Sequence, residues 1–129
     1  MSNEFLDTLK SEQAKRGSNP AQLSEALEIL NVFCQGIGEY TANKVECTVE
    51  KGFLVNIGQE WRVKVKSSAT LPYEQILFRA YIPAGGYPIT LDLYDESTIE
   101  CRDGKSLKKR LNDFLKRPST FDLIQLLSH

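Results

Sequence analysis

Histidine is all but missing from this chain: of its 129 residues a single one is His, and it is the last, His129. Ser-His and Cys-His nucleophilic mechanisms, and a His-ligated metal, therefore have almost nothing to draw on. No G-x-S-x-G, H-E-x-x-H or C-x-x-C pattern occurs either. No catalytic, cofactor-binding or metal-ligating residue is assigned, and a non-enzymatic protein is the expectation. Cysteine is scarce too. Cys34, Cys47 and Cys101 are odd in number and far apart, and each falls on an apolar face, so they read as buried thiols in a reducing cytoplasm.

No apolar run approaches the roughly 20 residues of a membrane span. The stretch from Met1 to Lys15 alternates acidic and apolar residues and lacks the basic head and apolar body of a signal peptide. A cytoplasmic protein away from membranes is expected. With 8 Gly and 5 Pro, and without repeats or low-complexity tracts, the chain is neither collagen-like nor disordered.

What is present is ordinary for a globular protein: 41% apolar and 26% charged residues. A chain of this size buries roughly two thirds of its unfolded surface. Residues 1–129 are read as a single domain, with residues 1–18 a loosely attached helix and loop. The net charge of −1 is uneven, with 5 basic and 9 acidic side chains in residues 1–60 against 11 and 8 in residues 61–129. Two such halves would suit self-association or a charged partner, but so mild an asymmetry is ordinary and is read as signifying nothing.

Glu4 to Lys15 places Phe5, Leu6 and Leu9 on one side of a short helix. Asn19-Pro20-Ala21-Gln22 is a helix start, and the helix is expected to run to about Gln35, where Gly36 and Gly38 stop it. Leu23, Ala26, Leu27, Ile29, Leu30, Phe33 and Cys34 make its apolar arc broader than one sheet face needs, which calls for a second neighbour, a helix or a subunit. From Tyr40 the period becomes two. Val45, Cys47 and Val49 face inward; Glu50-Lys51-Gly52 forms a hairpin loop; Phe53, Val55 and Ile57 return inward; then Trp61, Val63 and Val65 follow, with Arg62, Lys64 and Lys66 outward. Further strands run over Ile76–Ile82, Ile89–Leu93 and Ile99–Cys101. The Gly85-Gly86 loop between Pro83 and Pro88 matches no phosphate-binding motif and reads as a hairpin turn, with Tyr87-Pro88 able to be cis. Helices follow from Asp103 to about Lys116 and, after a break at Pro118, from Phe121 to Leu127. The expected fold is α+β, an antiparallel sheet of about six strands in a meander, with two N-terminal and two C-terminal helices packed mainly on one face.

Two polar groups stand out. An Asp95-Glu96-Ser97 loop would set Asp92 opposite Glu100 on the outward face, with Arg102 diagonal and Arg79 on a neighbouring strand, and paired carboxylates repel unless a cation screens them. Arg62, Lys64 and Lys66 space cations about 7 Å apart, as phosphates are spaced along a single strand. No aromatic residue shares their face and the pI is 5.9, so nucleic acid is not the expected partner. The surplus is apolar: Leu54, Leu77, Tyr81 and Tyr94 fall on outward parity, and Phe121 and Ile124 belong to a last helix apolar on nearly all sides. Either the N-terminal helix covers these residues, the reading preferred for most of them, or a partner does, and these six are the partner-binding candidates. The expected function is a protein-interaction module, such as an adaptor, chaperone or inhibitor, with another protein or a second copy as partner. The alternative is a small-molecule site or small enzyme whose pocket, lined by Phe53, Trp61 and Phe78, lies beneath the Pro20–Gln35 helix.

Overall fold

The alternation between Val45 and Lys66 folds into a long antiparallel hairpin. In the computed structural model, which describes residues 3–16, 20–68, 74–93 and 98–129, the elements run α1 (Glu4–Arg16), α2 (Pro20–Tyr40), β1 (Val45–Val55), β2 (Gly58–Ser67), β3 (Glu74–Ile82), β4 (Ile89–Asp92), β5 (Ile99–Cys101), α3 (Gly104–Leu115) and α4 (Pro118–Leu127). The strands form one antiparallel sheet in sequence order. Helices α2 and α3 lie on its apolar face, and α4 lies against α3.

The sheet has five strands where the sequence predicts about six. Glu50-Lys51-Gly52 is not a loop: β1 continues to Val55 and the chain reverses at Asn56-Ile57, with Val49 paired to Val63 and Cys47 to Val65. Gly52 sits at a bulge, where a Cβ would overlap the Glu60 carboxylate, so close approach and not a turn is what calls for glycine there. The turn glycine is Gly58, with φ 135° and the Ile82 backbone against it. Running two paired strands to Asn56 completes more ladder hydrogen bonds than an early turn would. It also carries Phe53, Val55 and Ile57 past the core into solvent, contrary to their expected inward face.

Helix α2 passes both of its glycines. Ile37 lies between the two glycines, two residues past the expected end at Gln35, and is buried, and that burial offsets a glycine penalty of about 1 kcal/mol each. The helix ends instead where Ala42 and Asn43 adopt left-handed φ of 52° and 64° and the Asn43 N–H donates to the Gly38 carbonyl at 2.8 Å. Its predicted N-cap, Asn19, lies outside the described residues. At the other end of the chain, Pro118 opens α4 as its first residue with no side-chain cap, so the expected start at Phe121 moves three residues earlier. Helix α3 starts with a capping box in which Asp103 Oδ1 accepts from the Ser106 N–H at 2.7 Å, and this bond holds the Asp103 carboxyl below the usual range.

The core centres on Phe78 of β3. Its ring meets Phe33 of α2 edge-on at 5.4 Å and Phe114 of α3 at 5.6 Å, both near perpendicular. Val63, Val65, Leu91 and Leu107 are fully buried around it. The Cys34 thiol of α2 meets the Cys47 thiol of β1 across the helix–sheet seam, which together with burial pushes Cys47 well above an ordinary thiol, while burial pushes Cys101 up to about 11. Among the described residues no helix is long and apolar enough to cross a membrane. Tyr87-Pro88 is cis, and Gly86 beside it (φ 89°) abuts the backbone of Gln22 and Leu23 at the start of α2.

Truncating Phe78 to Ala should cost about 3–5 kcal/mol, whereas Phe53→Ala, at a ring 72% exposed, should stay within about 0.5 kcal/mol; urea unfolding monitored by circular dichroism measures both. Asp103→Ala should lower the thermal midpoint at pH 7. Because folding depresses the Asp103 carboxyl, its contribution is complete above the unfolded value near ~4 and is lost as pH falls through the lower folded value. The gap between wild type and variant should therefore close in acid.

Candidate functional site

Two surfaces concentrate the residues singled out above: the outward face of the sheet and the side of the helical layer turned away from it. On the sheet, pairing puts Arg62 opposite Arg79, Glu60 opposite Tyr81, and Arg79 opposite Asp92. Glu60 is buried and holds both guanidinium groups, with Oε1 2.7 Å from Arg62 Nε and Oε2 3.4 Å from Arg79 Nε. Two like charges on adjacent strands are thus bridged by one carboxylate, which explains how they tolerate each other. The Arg62 guanidinium also lies 5.2 Å from the centre of the Phe53 ring.

The predicted polar cluster comes together only in part. Arg79 and Asp92 are direct neighbours, but Glu100 pairs with Thr90 and not with Asp92, and Arg102 lies exposed just past β5. The register differs from the expected one by two residues, with Leu91 against Ile99. A shift of two leaves every side chain on its own face, so alternation alone cannot detect it. Glu60, the centre of the actual cluster, was not among the residues that the sequence singled out. The cation comb is charge-paired: Lys64 Nζ lies 2.5 Å from Glu50 and 3.5 Å from Glu74, and Lys66 Nζ 3.2 Å from Glu46. The Lys64 ammonium holds the Glu50 carboxyl below its ordinary range. Among the described residues no three His, Cys, Asp or Glu side chains gather as a metal site requires.

The partner-binding candidates separate. Leu54 is exposed at the β1–β2 hairpin tip, and Tyr81 is half-buried on the outward face. Tyr94 lies outside the described residues. Leu77 is buried, contrary to its expected outward face. It is the unpaired residue of a β-bulge where Val63 meets Phe78 and Lys64 meets Ile76, so parity before and after it is reversed and Leu77 joins the core. Phe53, Trp61 and Phe78 do not line one pocket, since Phe53 is out over the sheet and Phe78 fills the core. The Trp61 indole N–H is buried without a partner among the described residues.

Phe121 and Ile124 do meet, in an open groove of about 1140 Å³ between α2, α3 and α4. Ile29, Val32, Phe33 and Ile37 of α2 form one wall, Leu111 and Leu115 of α3 the other, and Phe121 and Ile124 close one end. Tyr40 stands over that end with its ring 6.3 Å from Phe121, and its hydroxyl accepts from Gln125 Nε2 at 2.7 Å. Gly36 opens the middle, because a Cβ there would meet nothing within 4 Å. Charges of both signs edge it, Glu25 and Glu28 from α2, Lys108 and Lys116 from α3 and Asp122 from α4, and the Glu25 carboxylate lies against Gly104 at the start of α3. From Glu25 to Tyr40 the wall is about 23 Å long at 1.5 Å per residue. The broad arc of α2 was legible in sequence, and α3 is the second neighbour it called for. Val32, Ile37 and Tyr40 were missed, the last two because the helix was expected to stop before them. An apolar groove edged by charged side chains can receive an amphipathic helix.

No known protein family, characterised protein or solved structure matches this chain.

Removing the bridging carboxylate by Glu60→Ala should cost about 1–3 kcal/mol, since it leaves two arginines face to face. Glu100→Gln, at an exposed position, should stay within about 0.5 kcal/mol. Paired denaturant titrations of the two variants against wild type test this contrast.

Proposed function

We propose that this protein is a non-enzymatic interaction module that holds an apolar helical segment of a protein partner in the groove between α2, α3 and α4. The observation that carries the reading is the groove itself: some 1140 Å³, walled by aliphatic side chains, with Val32, Tyr40 and Phe121 left exposed. Exposed apolar surface gathered into one concave place marks a binding site more often than the same residues scattered singly. Helix-in-groove docking suits its length and its charged rims. Three unbridged thiols fit a reducing, cytoplasmic setting.

Gly36→Glu tests the reading, because the new side chain enters open space in the groove and replaces glycine with a good helix former. Tagged wild type, Gly36→Glu and the outer-face control Glu100→Gln are purified from the native host and the associated proteins quantified. Wild type and control should retain the same partners, and Gly36→Glu should lose them at least tenfold. Equal recovery by all three would end the groove reading.

A further inference from the structure

We infer that the segment seated in this groove is α1 of a second copy of the chain, so that two protomers exchange N-terminal helices. The inference rests on the groove reading above and names its occupant. The large apolar side chains of the 13-residue helix α1, Phe5, Leu6 and Leu9, lie within its first two turns and span about 6 Å of a groove wall of about 23 Å at 1.5 Å per residue. It is built with a cap, Asn3 Oδ1 accepting from the Phe5 and Leu6 N–H groups at 3.0 and 3.3 Å. Yet it buries none of its described side chains, and Phe5 and Leu9 are 74% and 68% exposed. An isolated helix this short is marginal in water, so its apolar stripe calls for a seat.

Area fits as well. The exposed parts of Phe5, Leu6, Leu9, Val32, Tyr40 and Phe121 come to roughly 600 Å² per seated helix, and a mutual exchange doubles this to about 1,200 Å², the lower edge of a stable interface.

The tether argues for the second copy over the chain's own helix. Three residues separate α1 from α2. Folded back as a helical hairpin, α1 would set Leu9 beside Leu27 and Phe5 beside Asn31. That is about 14 Å short of Tyr40, which is 63% exposed at the far end with Phe121. A helix from another protomer is not held to that position and can bring Phe5 and Leu9 to the Tyr40 and Phe121 end.

The test is complementation, read by sedimentation velocity over a concentration series. Wild type should be a dimer. Leu9→Asp, which spoils the apolar stripe, and Gly36→Glu, which blocks the groove, should each be folded monomers whose circular dichroism loses no more helical signal than the 13 residues of α1 supply. Their equimolar mixture should form a 1:1 dimer at least tenfold weaker than wild type, held by the one intact helix in the one open groove. A monomeric wild type overturns the inference, and if hydrogen exchange then protects residues 5–9 in wild type but not in Leu9→Asp, the occupant is the chain's own helix. A dimer untouched by Leu9→Asp also overturns it. Either failure, if partner recovery still depends on Gly36, leaves the groove reading standing; recovery indifferent to Gly36 removes both.

Discussion

The edge-to-face contact of Phe78 with Phe33 and Phe114 is the constraint on which the architecture depends. One ring on the central strand meets a ring from each covering helix, so the spacing and splay of α2 and α3 over the sheet follow from how three aromatic side chains interlock at near right angles. Helices held at that separation by their inner faces cannot also close along their outer faces. The groove between α2, α3 and α4 is the consequence, and Gly36, by contributing no side chain there, keeps it open.

The two faces of the molecule handle their polar groups differently. On the sheet, charges are consumed locally: Glu60 bridges two arginines, and the lysines of β2 meet glutamates of β1 and β3. Such a surface is self-satisfied and gains little by recruiting a partner. On the helical side the lining is apolar and the charges stand only at the rims, an arrangement in which covering the floor releases water while the rims set orientation. This contrast is why the proposed docking falls on the groove, while the arginine–glutamate cluster is held together within the sheet.

Much of the fold was legible because it rests on period and punctuation. The inward set Val45, Cys47, Val63, Val65, Phe78 and Leu91 follows from alternation, and the amphipathic pattern of α3 places Leu107, Leu111 and Phe114. The misreadings share a cause. A period of two cannot register a shift of two, so Glu100 moved from Asp92 to Thr90. It also cannot announce a bulge, so Leu77 reversed its side and Gly52 passed for a turn. Local propensity stopped α2 at Gly36, although burying Ile37 outweighs that preference. Of the candidate site residues, Phe121 and Ile124 line the groove together, and Arg79 pairs with Asp92 on the sheet.

The sequence by itself determined the class of the fold, the order of its elements and which residues face inward, since each depends on neighbours a few positions apart along the chain. Only the tertiary structure decided the hairpin register, the bulges, the carboxylate clamp on Arg62 and Arg79, and the groove. These depend on where α2, α3 and α4 stop against one another and against the sheet, and those separations are set by the volumes of side chains far apart in sequence.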